Sequence, residues 1–175
     1  MTNTPRPMAE QLDVMIEDDR WNALDLEGLS DRAIGAAFAQ LGLTRDGYEI
    51  SILACDDAEI ARLNTEFRGK EKPTNVLSWP AFDLAPEEQG GEPHPAPESE
   101  DGPFETSLGD IAISYDTCMK EAAEQGLAPA DHVIHLLIHA TFHLLGYDHE
   151  TDADAELMEA LEIKTLETLN IANPY

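Results

Sequence analysis

The chain has 175 residues, 42% of them hydrophobic, with two tryptophans, which fits one globular domain with its own core and excludes a disordered chain. Thirty-six acidic residues against ten basic ones give a formal net charge of −26, which favours solubility and by composition alone speaks against a free nucleic-acid binder. No run approaches the ~18 apolar residues of a membrane span, Met1–Met8 lacks the apolar stretch of a signal peptide, and Cys55 and Cys118 make no disulfide framework, so the expectation is a cytoplasmic protein with no membrane partner.

Residues 1–10 read as a flexible polar tail, and residues 11–171 as one domain. Leu12, Val14 and Ile16 alternate, predicting a half-buried strand over 11–17. Ser30 is a plausible N-cap for a helix with an Ala33, Ile34, Ala37, Phe38 and Leu41 stripe, closed near Gly42. Tyr48, Ile50, Ile52 and Ala54 predict a second strand over 48–55, after which Asp56 or Asp57 caps a helix carrying Ile60, Leu63 and Phe67. Pro73 forces an extended path into a third strand over 74–79. From about 80 to 107 the chain turns to Pro, Gly and Glu with few large apolar residues, and reads as a mobile acidic loop that need not touch the core. Ile111 and Ile113 mark a fourth strand over 108–114, followed by a helix over 115–125, a helix opened by Pro129, and a last amphipathic helix capped by Thr151 and ending near Asn170. Four strands among helices predict an α/β (α+β) domain with one mixed sheet flanked by helices.

Five of the six histidines, His132, His135, His139, His143 and His149, fall within eighteen residues, and only His94 lies elsewhere. Residues four apart share a helix face, so His139 and His143 can reach one ion from the same side. Gly146 allows the backbone to reverse and bring His149 to them, as in the long zinc motif H-x-x-x-H-x-x-G-x-x-H. Three imidazoles suit one Zn²⁺ at a helix C-terminus and leave a fourth position for water or substrate; a closed structural site would need a fourth ligand, which Cys55 or Cys118 could supply only by approaching in the fold. A lone histidine more often fills a half-buried helix face, and His135 reads either as packing beside the ligands or as one of them. Zinc peptidases of this spacing carry a glutamate base after the first histidine, where this chain has Ala140, so that route to peptide hydrolysis is disfavoured. Asp148 reads either as a proton-transfer group or as a carboxylate that merely neighbours a ligand.

Arg68, Lys70 and Lys72 put three of the ten cations into five residues just past a helix end. Their plain reading is a solvated turn. A local positive site can nevertheless persist on an acidic surface, because salt screens charges beyond roughly 8 Å.

Three blocks together resemble the YbeY family of bacterial endoribonucleases: residues 139–149 (HATFHLLGYDH), residues 64–79 (NTEFRGKEKPTNVLSW) and residues 108–114 (LGDIAIS). They occur in the family's order, and the resemblance covers most of the chain. It implies a single α/β domain, one zinc ion on His139, His143 and His149, and single-strand-specific RNA cleavage in ribosomal RNA processing, notably at the small-subunit 3′ end, and in ribosome quality control. The family's functional arginine maps onto Arg68, which becomes the candidate catalytic and RNA-binding residue, with Lys70 and Lys72 as further phosphate contacts. Small-subunit components and assembly factors are the implied partners. Ala140 replaces the usual glycine, and the acidic 80–107 loop is longer than usual. The competing readings are a non-enzymatic ribosome-assembly factor in which zinc only ties the last helices together, and a zinc hydrolase of another substrate class, such as an amidase or peptidase with a remote base.

Overall fold

A computed structural model describes residues 12–97 and 106–175. The predicted tail at 1–10 and the 98–105 part of the acidic loop lie outside these residues. Four strands form one sheet in the order β1-β2-β4-β3: β1 (Leu12–Ile16), β2 (Tyr48–Cys55), β3 (Val76–Pro80) and β4 (Thr106–Ser114). β1, β2 and β4 run parallel, while β3 pairs antiparallel to β4 at the edge. Pro80, which cannot donate to a ladder, ends that edge strand, where its loss of an N–H is tolerated.

The helices are α1 (Leu26–Gln40), α2 (Asp57–Arg68), α3 (Tyr115–Gln125), α4 (Pro129–Leu144) and α5 (Asp152–Thr168). Period-two patterning sends Leu12, Ile50, Ile52, Ala54, Ile111 and Ile113 into the main core, against α1 and α4. A smaller cluster of Cys55, Ile60, Leu77 and Ala112 includes the buried side of α2. α4 is apolar almost all round, as expected of a central helix, and from Asp131 onward its intermediate-exposure positions recur every four residues at Asp131, His135, His139 and His143. The helix thus opens to its surroundings along the strip that carries the histidines.

Two boundaries differ from expectation. α1 starts at Leu26 rather than after Ser30, because Asp25 adopts a left-handed conformation (φ 48°) and its side chain accepts the Gly28 N–H at 3.4 Å. Gly28 sits in the first helical turn, where a Cβ would run into the Asp25 carboxylate. Ser30 is instead buried one turn inside. Ahead of α1, a 3-10 helix over Asp19–Leu24 seats Trp21 at 0% exposure, its indole N–H donating to the Cys55 carbonyl at 3.0 Å. The third strand also begins two residues later than predicted and the fourth two residues earlier, taking Thr106 and Ser107 from the acidic loop.

Residues 81–97 do touch the body of the domain. Leu84 is buried, its carbonyl accepts the His94 N–H at 2.9 Å, the Gly90 N–H reaches the Asp154 carboxylate at 2.7 Å, and the Tyr48 hydroxyl donates to the Pro97 carbonyl at 2.7 Å. The Ala81 N–H also donates to the Leu108 carbonyl at 3.0 Å and Ala96 packs against the core, contacts that a composition dominated by Pro, Gly and Glu does not reveal.

Candidate metal centre

The centre is built by the way α4 ends. Gly146 has φ +103°; its N–H bonds to the His143 carbonyl and the Tyr147 N–H to the Phe142 carbonyl, the paired closure of a Schellman cap. The Phe142 and Tyr147 rings pack 5.7 Å apart across the cap. A Cβ at Gly146 would stand 2.6 Å from the Leu84 carbonyl, so this residue must be glycine for packing as well as for backbone conformation. Beyond the cap the chain turns back, and the ring of His149 lies 5.3 Å from His139 and 5.1 Å from His143, centre to centre.

Ligand atoms of His139, His143 and His149 all lie within 4.8 Å of one another, so the group could hold a metal ion. The hydrogen bonds orient two of the rings. His143 Nδ1 is 2.9 Å from the Tyr147 carbonyl and must carry its proton there; His139 Nδ1 is 3.1 Å from Glu162 Oε1 and does the same. Each ring then turns a lone pair on Nε2 inward, and those two nitrogens stand 3.0 Å apart. Two facing lone pairs repel unless a cation lies between them, and ligands of a tetrahedral zinc at ~2.0–2.1 Å stand about 3.3 Å from one another. Burial, reinforced by His139 and His149 beside it, pushes His143 down to about 4, so at neutral pH it is already deprotonated and able to ligate.

Glu162 was not singled out in the sequence, yet it organises this centre from beneath. It is 1% exposed on α5, and a single oxygen, Oε1, receives His135 Nε2 at 2.9 Å, His139 Nδ1 at 3.1 Å and the Tyr175 hydroxyl at 3.1 Å. Burial works to raise this carboxyl, but the bonds from His135 and His139 outweigh it and bring it down to about 2. Its signal was a glutamate four residues after Met158 and four before Leu166, on the buried stripe of α5. Tyr175, outside any periodic element, gave none.

His135 is thus engaged with Glu162 and Tyr175, and His132 with Glu121 at 3.0 Å. Cys55 and Cys118 are buried thiols on the Ile113 and Asn75 carbonyls, Cys55 pushed up to about 12 by burial, and neither joins the histidine group. Asp148 accepts the His149 backbone N–H at 2.7 Å. His94 is half exposed beside Glu87.

The sequence-distant Arg68 meets this centre. Its Nη2 donates to the Ser78 carbonyl on β3 at 2.9 Å, and with His135, His139, His143, His149 and Tyr175 it lines a cleft of about 330 Å³. No aspartate or glutamate lines that cleft among the described residues. A second cleft of about 610 Å³ shares Arg68, Ser78, His143 and His149 with the first and continues past Lys70, but Asp83, Asp148 and Glu150 also line it. Lys72 lines neither; its carbonyl is held by Asn64 Nδ2 at 2.9 Å, which with the Lys70 N–H on the Asn64 carbonyl fixes the turn after α2.

A family model described as Endoribonuclease YbeY matches residues 13–170. Among curated proteins, the Endoribonuclease YbeY of Dinoroseobacter shibae is 56% identical, over 100% of this chain and 97% of that protein, and the one from Paracoccus denitrificans is 50% identical, over 99% and 94%. The fold also resembles the solution structure of a Thermotoga maritima protein, with a TM-score of 0.53, 19% identity and 91% of each chain covered. With its three-histidine centre and a match along nearly its whole length, the chain belongs to the YbeY family.

Proposed function

We propose that this protein is a zinc-dependent, single-strand-specific endoribonuclease that acts in the cytoplasm in ribosomal RNA processing, at the small-subunit 3′ end, and in ribosome quality control. The observation that carries the nuclease reading is the first cleft: in a chain with 36 acidic residues, Arg68 and four histidines line a space that no aspartate or glutamate lines among the described residues. Such a space admits a phosphodiester that the rest of the surface repels. The names of the relatives support RNA as the substrate, and the family resemblance supports the ribosomal role.

His139, His143 and His149 would hold the ion, which when bound supplies Lewis acidity towards a phosphoryl oxygen or lowers the pKa of water to about 7. Arg68, steadied by the Ser78 carbonyl, pairs with the scissile phosphate and stabilises the charge that builds on its oxygens. Lys70 receives the neighbouring phosphate, and Lys72 contributes only at longer range. Zinc fits the all-nitrogen donor set.

Two variants test this reading. His143→Ala abolishes stoichiometric zinc binding, and full retention of metal sinks the three-ligand centre. Arg68→Ala keeps zinc and fold but loses RNA cleavage by ~10²-fold or more; an undiminished rate returns Arg68 to a solvated cation. Product ends identify the nucleophile: a cyclic phosphate marks the RNA 2′-hydroxyl, and a terminal monophosphate marks water.

A further inference from the structure

Phe67 and Tyr175 are the most exposed aromatic side chains among the described residues, at 59% and 58%, and of the two it is Tyr175 that stands at the wall of the first cleft. It is nonetheless held. Its hydroxyl donates to Glu162 Oε1 at 3.1 Å, and its ring meets His135 edge to face at 5.6 Å. Through the shared Glu162 oxygen the hydroxyl stands two hydrogen bonds from His139, so the ring is fixed relative to the histidine centre. No other ring lies parallel over it among the described residues. Tyr175 lines only the first cleft and Lys70 only the second, with Arg68, His143 and His149 between them.

An anchored, open aromatic ring beside a phosphate-binding cleft is what a nucleobase stacks on, and stacking is tolerant of base identity because every base has a π-face. We infer that Tyr175 is a nucleobase platform, stacking the base of a nucleotide next to the scissile phosphate on the side away from Lys70, with His135 and Glu162 holding the platform in place. The inference rests on the endoribonuclease reading above and adds a subsite to it. It also gives a physical reason for single-strand preference, since a paired base already stacks on its duplex neighbours and cannot lie on Tyr175 without leaving them.

The test is cleavage kinetics of the zinc-loaded protein on a short single-stranded RNA and on a series in which one base at a time is replaced by an abasic site. In the wild type, one abasic position beside the cleavage site raises KM about tenfold. Tyr175→Leu raises KM on the intact RNA by a similar factor and is insensitive to base removal at that position alone. Tyr175→Phe, which keeps the ring but loses its bond to Glu162, raises KM by less than Tyr175→Leu does and stays sensitive to base removal at that position, and all variants keep stoichiometric zinc. If the wild type fails to cleave RNA, the underlying reading falls and this one with it. If it cleaves, but Tyr175→Leu matches wild type, loses zinc, or responds to every abasic site as wild type does, only the platform is overturned. Equal damage from Phe and Leu assigns the effect to the hydroxyl and overturns it as well.

Discussion

His139 is positioned by a residue of another helix, Glu162 on α5. The Glu162 carboxylate accepts its Nδ1 proton, fixes which nitrogen faces inward, and carries a negative charge that makes the ring a better ligand. Glu162→Gln retains the shape and removes that charge, and is expected to weaken zinc binding ~10–100-fold while the far-UV circular dichroism spectrum stays that of the wild type, as measured by competition with a chelator. An unchanged affinity would reduce Glu162 to packing. The three histidines were legible because their spacing is local: four residues on a helix, then a glycine turn. Ala140 was equally informative, because it removes the peptidase base from the position where that chemistry needs it. Glu162 and Tyr175 were not read, since each acts across elements and no spacing along the chain encodes which helix packs against α4. Arg68 stood on resemblance alone in the sequence; its place in the same cleft as the histidines is a property of the fold.

The C-terminal cap of α4 is the element on which the centre depends. Gly146→Ala places a side chain at φ +103° and against the Leu84 carbonyl, and is expected to cost about 2 kcal/mol or more, lowering Tm by roughly 4–8 °C. Because the cap also aims His149, zinc affinity should fall with stability; thermal melts with and without zinc measure both. A variant as stable as wild type would show that the 81–97 segment yields. Gly109 is constrained in the same way at φ +137°, where a Cβ would run into the Trp79 carbonyl, and it lies beside the irregularity that shifts the β2–β4 register. Strands and helices were readable wherever apolar periodicity was strong: β2 and α3 match the predicted spans, and Thr151 caps α5, its side chain accepting the Asp154 N–H. The start of α1 escaped because Ser30 has the chemistry of an N-cap, while the residue that caps the helix, Asp25, does so from a left-handed conformation that the sequence does not show. The 3-10 segment around Trp21 escaped because six residues are too few to show a period.

Across the whole molecule, a net charge of −26 and a local cationic cleft act in opposite directions on RNA. Arg68 and Lys70 together release counterions from at most two phosphates, so log affinity for single-stranded RNA should fall with log salt at a slope no steeper than about −1.4. Lys70→Ala should make the slope shallower by about 0.7, whereas Lys72→Ala, outside both clefts, should change it little. A much steeper slope would require a basic surface elsewhere. The mixed sheet explains how the two parts of the centre come together: β3 pairs with β4 and packs beside α4, and α2, which ends at Arg68, leads through the turn after it into β3. The central claim is a metal-dependent ribonuclease, and the most direct measurement incubates the purified protein with ribosomal RNA and, separately, with casein, each with and without a chelator. Expected is cleavage of the RNA alone, abolished by the chelator and restored by zinc; RNA left intact under all conditions, or cleavage that the chelator leaves untouched, would contradict it.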